Sequence, residues 1–242
     1  MRLLLLSNST LPGEPFLGWP REHLKTFLSG RRSIAFVPYA AVTFGFDDYL
    51  DMVAPVFEES GLRTIALHRE KDPALALSGA EAIAVGGGNT FRLVRELYRH
   101  DLLRAIRRHV QEGAPYVGWS AGSNVACPTI MTTNDMPITE PPSFRAMHLV
   151  PFQINPHYTD VRPEGHGGET RDQRISEFLV MNPRMPVLGL REGSGLLMQD
   201  GAIELLGRDM RLFRHGQDHM EVAAGTRFHQ DLREFTGSGA KS

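Results

Sequence analysis

The chain of 242 residues has a single cysteine, Cys127, so no intramolecular disulfide can form and a four-thiolate zinc site is excluded. Lysine is almost as scarce: only Lys25, Lys71 and Lys241 stand among 26 basic residues, so the positive charge is nearly all guanidinium. That group is a permanently charged, planar fork suited to carboxylates. Neither sign of charge is in real excess. A formal net charge of -2 gives no basic field of the kind that nucleic acid or an anionic membrane would attract. Long apolar runs are missing too. The opening MRLLLLSNS carries one arginine and four leucines, short of the roughly 7–15 apolar residues of a secretory signal. Nothing approaches the roughly 18 apolar residues of a membrane span. Together these absences predict a soluble, cytoplasmic protein whose partner is neither nucleic acid nor membrane.

What is present is alternation. Leu3–Leu6, Ile34–Val37, Thr64–Leu67, Ala82–Val85, Pro115–Gly118 and Val187–Leu190 are strand-sized apolar runs. Between them, helical patterns are predicted at Arg21–Leu28, Asp47–Ser60, Thr90–Leu97 with Leu102–Gln111, and Arg171–Met181. Strands alternating with helices predict an α/β domain, a doubly wound and mostly parallel sheet with helices on both faces. Residues 134–168 are rich in Pro, Gly and His and read as long loops around a strand. After Glu192, two apolar runs flank Gln199-Asp200-Gly201, a strong hairpin signal, so a small antiparallel extension is predicted. The expected division is one catalytic domain over 1–225 and a polar tail over 226–242.

Two glycine-rich turns stand out. Residues 116–126 read YVGWSAGSNVA, a Gly-x-Ser-x-Gly pattern where an apolar strand gives way to a small-residue helix start. Serine becomes a nucleophile only when a base takes its proton and donors stabilise the oxyanion. A strand-to-helix turn of this composition exposes the Ser120 hydroxyl and offers the Ala121 N–H to a developing charge. A tight turn with an incidental serine is the plainer reading. The second turn, AVGGGNT at 84–90, lacks the Gly-Lys-Ser/Thr of a P-loop, and Phe91 stands where a dinucleotide fingerprint needs its third glycine. It leaves exposed backbone at a strand's carboxyl end, where open α/β sheets bind ligands. The Gly88 N–H is a candidate second oxyanion donor, and close packing is the alternative role.

Among the ten histidines, His157 in QINPHYTD is the leading candidate base and His166 in EGHGGE the next. His68, His100 and His109 lie on or near helices and read as surface residues. The orienting acid is Glu192 or Asp135. Glu192 directly follows Val187–Leu190, at the strand edge where Ser120 also belongs, whereas Asp135 sits in a loop with no fixed edge. His157, Glu164, His166 and Glu169 cluster in sequence, but no His-Glu-x-x-His helix accompanies them. The opening SNSTLPG follows the first strand, where flavodoxin-like proteins hold a flavin phosphate, yet it has no glycine-threonine pattern. A non-catalytic, flavodoxin-like ligand-binding module with an idle serine is the rival from another class.

These residues taken together resemble the peptidase E group, the α-aspartyl dipeptidases of serine peptidase family S51. The likeness runs from LLLLSNS through FVPYA, AVGGGNTFRL, VGWSAGSNVA and NPHY to LREGSGL, in order, over about residues 1–215. It implies a fold like that of class I glutamine amidotransferases, with Ser120 as nucleophile, His157 as base and Glu192 as orienting acid. It also implies Gly88 and Ala121 as the oxyanion hole, and hydrolysis after an N-terminal aspartate with no metal or organic cofactor. Such a substrate needs a cation for its side chain; Arg171 is the first candidate and Arg174 the second. Asn89 is placed to meet the substrate main chain. Cys127, seven residues beyond Ser120, reads as a buried structural thiol. Cyanophycinases, relatives that cleave β-aspartyl-arginine, are the alternative within the class, and a homodimer is the expected assembly.

Overall fold

The computed structural model describes residues 1–161, 165, 167–232 and 235. Along the chain, β1 (Arg2–Leu6), α1 (Arg21–Leu28), β2 (Ser33–Val37) and α2 (Phe46–Glu58) come first. Next, β3 (Arg63–Ala66) passes through a 3-10 turn at Leu67–Arg69 into α3 (Pro73–Ser78). Then follow β4 (Ile83–Val85), α4 (Thr90–Arg99), α5 (Leu102–Gln111), β5 (Tyr116–Trp119) and the one-turn α6 (Ala121–Asn124). Loops lead to β6 (Gln153–Tyr158), α7 (Arg171–Met181) and β7 (Val187–Arg191). The remaining strands are β8 (Ser194–Gln199), β9 (Ala202–Gly207), β10 (Met210–Phe213), β11 (Met220–Val222) and β12 (Arg227–His229).

The central sheet has the order β12-β9-β8-β1-β5-β4-β2-β3. β1, β5, β4, β2 and β3 are mutually parallel, and β8, β9 and β12 extend the other side with antiparallel pairings. Strand alternation sends successive leucines of β1 to opposite faces. Leu3 and Leu5 join one core with Leu93, Leu97, Leu102, Ile106 and Val110 of α4 and α5. Leu4 and Leu6 join the other with residues of α1 and α2, including Leu24, Phe27, Val53 and Phe57. Both faces are therefore covered, as a parallel sheet requires, and each fully buried leucine is worth about 1.5–3 kcal/mol relative to exposure. The predicted hairpin joins β8 to β9, with φ 51° at Asp200 and 83° at Gly201, as a type I′ turn demands.

Besides shifts of a residue or two at other element ends, four departures from the sequence expectation stand out. First, Val187–Leu190 forms β7 outside the central sheet. It belongs to a second sheet of order β11-β10-β7-β6, in which only β6 and β7 are parallel. Ile154, Leu188, Leu190, Met210 and Leu212 of that sheet pack into the same core as Leu3 and Leu5. Second, β12 and the fully buried Leu232 continue the folded part into the segment expected as tail, because Phe228 and Leu232 have apolar surface to bury. Third, the run expected as Thr64–Leu67 ends at Ala66, and Leu67 enters the 3-10 turn. Fourth, α3 was not anticipated, although its start is well signalled: Asp72 accepts from the Leu75 N–H at 3.0 Å and Pro73 opens the helix.

The second sheet also carries charge. Arg191 pairs with Asp160 at 3.0 Å and Glu221 at 2.9 Å, and Arg211 pairs with Asp160 at 3.0 Å, Asp172 at 3.1 Å and also with Glu221. Hydrogen bonds from Arg191 above all hold the Asp160 and Glu221 carboxyls below the usual carboxylate range. Asp172 lies in the first turn of α7, so this network ties that helix to β7 and β10.

Candidate active site

Ser120 sits where β5 ends and α6 begins. Its N–H donates to the Leu6 carbonyl at 3.0 Å, while its own carbonyl accepts from Ser123 and Asn124 at 2.9 and 3.0 Å. Its backbone has φ 52° and ψ -114°, a conformation L-residues avoid at a cost of about 1–3 kcal/mol. The strain turns the side chain outward at the head of the helix. Flanking glycines make the tight approach feasible. A Cβ on Gly122 would lie 2.1 Å from the Val85 carbonyl oxygen, and one on Gly118 would lie 2.5 Å from that of Gly122. Either would force α6 off the sheet.

The predicted oxyanion donors lie on adjacent strand ends. The Gly88 and Ala121 N–H groups have no acceptor among the described residues. Gly88 has φ 132°, a conformation open to glycine, and the Asn89 N–H that follows donates to Ala40 at 2.8 Å. Tyr49, buried against this loop, donates to the Gly87 carbonyl at 3.1 Å and accepts from Trp119 Nε1 at 2.9 Å. One hydroxyl thus fastens the glycine loop to the strand that delivers Ser120. Burial raises the Tyr49 pKa above its ordinary value and keeps the phenol protonated.

His157 and Glu192 arrive from the second sheet. His157 Nε2 is 2.9 Å from Ser120 Oγ, and His157 Nδ1 is 2.8 Å from Glu192 Oε1. A carboxylate only accepts, so Nδ1 donates to Glu192, and Nε2 is left to accept from the serine hydroxyl. His157 also has a positive φ, 53°. It lies on a bulge: Asn155 pairs with Gly189 and Tyr158 with Arg191, so Pro156 and His157 together oppose Leu190. Bulges re-aim a side chain beside an active site, and here the imidazole is turned to the central sheet. The His157 and Glu192 side chains are 41% and 50% exposed, so the arrangement is open to solvent.

Of the two acids left open by the sequence, the structure brings Glu192 and not Asp135 to His157. Asp135 accepts from the Thr90 N–H at 2.7 Å and the Thr90 hydroxyl at 2.6 Å, at the start of α4. Asn89 caps the same helix, accepting from the Arg92 N–H at 3.1 Å and donating to the Met136 carbonyl at 2.9 Å. Its Oδ1 and one amide hydrogen are thereby committed to local structure.

Arg171 opens α7 beside a cavity of about 160 Å³ that Thr132, Asn134, Asn155 and Arg174 help line. Arg174 pairs with Glu169 at 3.5 Å, whereas Arg171 has no carboxylate within ion-pair distance among the described residues. Burial, and secondly the neighbouring Arg174 cation, lower the Arg171 pKa. An anion entering the cavity would relieve both effects. A wider cavity of about 560 Å³ between α7 and the turn after β10 contains none of Ser120, His157 and Glu192.

Several other sequence readings meet the structure here. His166 and Glu164 lie outside the described residues. Cys127 is fully buried, as expected, and burial pushes its thiol pKa far up. His68 is not a surface residue: its side chain is 8% exposed, and its Nε2 meets Asp47 at 2.9 Å. The sequence offers Ser7 and Asn8 as part of a possible phosphate loop and of the LLLLSNS stretch that carries the resemblance. Their side chains instead turn inward. Ser7 Oγ accepts from the His157 N–H at 2.9 Å and donates to the Leu190 carbonyl at 2.8 Å. Asn8 Oδ1 accepts from the Gly193 N–H at 2.8 Å. The only sequence signal for these roles is a polar pair directly after a buried strand.

Comparison with known proteins agrees with this architecture. The sequence model described as peptidase family S51 matches residues 3–206. A peptidase E from Nostoc sp. is 50% identical over 222 residues, covering 91% of this chain and 92% of that protein. The peptidase E of Salmonella typhimurium is 48% identical over 229 residues, covering 94% of this chain and all of the relative. Among solved structures, a peptidase from an acI-B1 actinobacterium superposes with a TM-score of 0.69 at 16% identity, covering 94% of this chain and 96% of the other. A putative peptidase E protein from Listeria monocytogenes gives 0.62 at 21%, covering 85% and 98%. At such identities the structural likeness speaks to the fold.

Proposed function

The chain belongs to peptidase family S51, and from that membership we propose that it is a serine-type dipeptidase that hydrolyses Asp-Xaa dipeptides through an acyl-enzyme. The observation that carries this reading is the hydrogen-bonded chain Ser120–His157–Glu192, with links of 2.9 and 2.8 Å, ending on a serine held at φ 52°.

The steps follow from that geometry. His157 Nε2 takes the Ser120 proton as Oγ attacks the scissile carbonyl, and Glu192 fixes the tautomer and stabilises the imidazolium. The carbonyl oxygen becomes an oxyanion between the Gly88 and Ala121 N–H groups, each such donor being worth about 10²–10³ in rate. The imidazolium then protonates the leaving amine, the C–N bond breaks, and the aspartyl acyl group stays on Ser120. Water, deprotonated by the same imidazole, attacks the ester; the C–Oγ bond breaks, the imidazolium returns its proton to Ser120 Oγ, and aspartate is released. None of these steps requires a metal.

Specificity follows from charge. Arg171 is a partly buried guanidinium without a carboxylate partner among the described residues, beside a cavity that suits a short acidic side chain. Arg174, already paired with Glu169, is the weaker candidate. A bidentate Arg–carboxylate contact in a desolvated site rejects an uncharged isostere.

The test is hydrolysis of Asp-Leu, Glu-Leu, Asn-Leu and β-Asp-Leu by the wild-type protein and by Ser120→Ala, with EDTA present. Rapid cleavage of Asp-Leu alone, lost in Ser120→Ala, is expected. Preference for β-Asp-Leu would move the assignment to the β-aspartyl hydrolases. Equal cleavage of Asp-Leu by Ser120→Ala would remove the nucleophile.

A further inference from the structure

We propose that Ser7, which no step of the reaction uses, is a positioning residue that holds the general base His157 in its reactive orientation through the backbone. The inference rests on the reading of Ser120, His157 and Glu192 as nucleophile, base and orienting acid.

The argument begins with the bulge in β6. Two residues, Pro156 and His157, stand opposite Leu190. Proline has no N–H to give, and His157 is out of register with β7. The His157 N–H donates instead to Ser7 Oγ at 2.9 Å, and the Ser7 hydroxyl donates onward to the Leu190 carbonyl at 2.8 Å. One hydroxyl from the end of β1 therefore spans both strands at the irregular step. It acts as acceptor for one strand and donor for the other. Ser7 is also anchored by its own N–H, which donates to the Ser194 carbonyl at 2.9 Å.

Two features make this contact matter for orientation. His157 holds φ 53° without being glycine, and such conformations persist only where the surroundings over-determine them. Ser7 is fully buried, so bulk water does not stand in for the hydroxyl. Without it, the N–H and the carbonyl lose their bridge. The peptide before His157 is then free to rotate toward ordinary φ, and that rotation swings the imidazole away from Ser120 Oγ. Asn8 reinforces the arrangement, because its Oδ1 accepts from Gly193, the residue after Glu192. Consecutive side chains of one loop thus reach the backbone of both His157 and the Glu192 turn.

The experiment reads the rate of reaction with a fluorophosphonate separately from the fraction that reacts. In this reaction Ser120 Oγ bonds to phosphorus, fluoride leaves, and His157 takes the hydroxyl proton. Wild-type protein is expected to take up one phosphonyl group per chain, on Ser120. Ser7→Ala is measured beside Ser7→Cys, which keeps the size but offers only a weak donor and acceptor. Both are expected to reach the same stoichiometry with a rate constant lower by about 10- to 100-fold, the scale of an ångström's misplacement. On Asp-Leu, kcat should fall in parallel while KM stays near the wild-type value. An unchanged rate constant overturns the proposal. So does a smaller reactive fraction that reacts at the wild-type rate, which would make Ser7 a residue of folding alone. If the wild-type protein is unlabelled, or labelled elsewhere than Ser120, the nucleophile assignment fails and the Ser7 role with it.

Discussion

The central sheet and the second sheet meet at the site, yet they are held by different forces. β2 and β5 are buried along their whole length, and apolar helices cover both faces of the parallel strands. The second sheet buries one face in the same core and packs the other on α7 through Tyr158, Val187 and Phe213 against Ile175 and Leu179, but Arg191, Arg211, Asp160, Asp172 and Glu221 add a partly exposed ion network to it. Ser120 stands on the first sheet; His157 and Glu192 stand on the second. The proposed nucleophile is therefore embedded in what keeps the chain folded, while the two residues proposed to activate it rest on a more polar platform. Changes to those partners should alter chemistry more than stability, and truncation of the buried apolar side chains within β1 and β5 the reverse.

The largest effect that sharpens this contrast is expected from Glu192→Gln. It removes the charge beside His157 and should lower kcat on Asp-Leu by about 10²–10⁴-fold, as loss of an orienting acid does elsewhere. Because the side chain is half exposed, thermal melting should stay within about 2 °C of wild type. A large fall in melting temperature with kcat preserved would break the comparison.

Leu4→Ala is the converse. Leu4 is fully buried in the face under α1 and α2, so its truncation should cost about 2–5 kcal/mol. In a chain of this length that is a fall in Tm of roughly 10 °C. Turnover per fluorophosphonate-titrated site should be unchanged, and a lower value would mean that the core and the chemistry are coupled.

Ser120→Gly should be inactive but gain up to about 1 kcal/mol in denaturant unfolding, since glycine accepts φ 52° without strain. Ser120→Ala keeps the strain and should gain nothing, so equal stability of the two would mean that none is stored there.

The smallest effect is with pH. Asp160 and Glu221 have pKa values below those of an unfolded chain, so their contribution is fully present above the ordinary carboxylate range and is lost as pH falls through their lowered values. Amides of β10 and β11 should therefore lose protection as pH is taken below the ordinary carboxylate range, before those of β1 and β5, in hydrogen exchange corrected for intrinsic rates. Simultaneous loss would mean that the ion network adds nothing to the second sheet.

Much of the fold was legible because it is written in local periodicity. The apolar spacing of Arg21–Leu28, Leu102–Gln111 and Arg171–Met181 gave those helices their observed bounds, and Asp200-Gly201 gave the hairpin. The second sheet was not legible. Its strands are short, and β10 and β11 mix charge with apolar residues as MRLF and MEV, so only tertiary partners decide where they pair. The residues that meet at the site were visible as types in strand-end and turn contexts: Ser120 after β5, Glu192 after β7. Their distances were not, because the bulge at His157 and the inward turn of Ser7 depend on groups about 150 residues apart. Asp135 stayed open in the sequence for the same reason: nothing local says that Thr90 will claim it.

The close approach of α6 to the sheet has an evolutionary consequence. Gly118 and Gly122 lack side chains because the carbonyls of Gly122 and Val85 occupy that space. Their constraint is spatial, whereas that on Ser120, as the proposed nucleophile, is chemical. A combinatorial library randomised at all three positions, and selected only for folded protein, would enrich glycine at 118 and 122 and let 120 drift, with glycine favoured there. Selection for cleavage would fix all three. In lineages that abandoned the reaction, the two glycines should therefore outlive the serine, and the motif would decay from its centre outward.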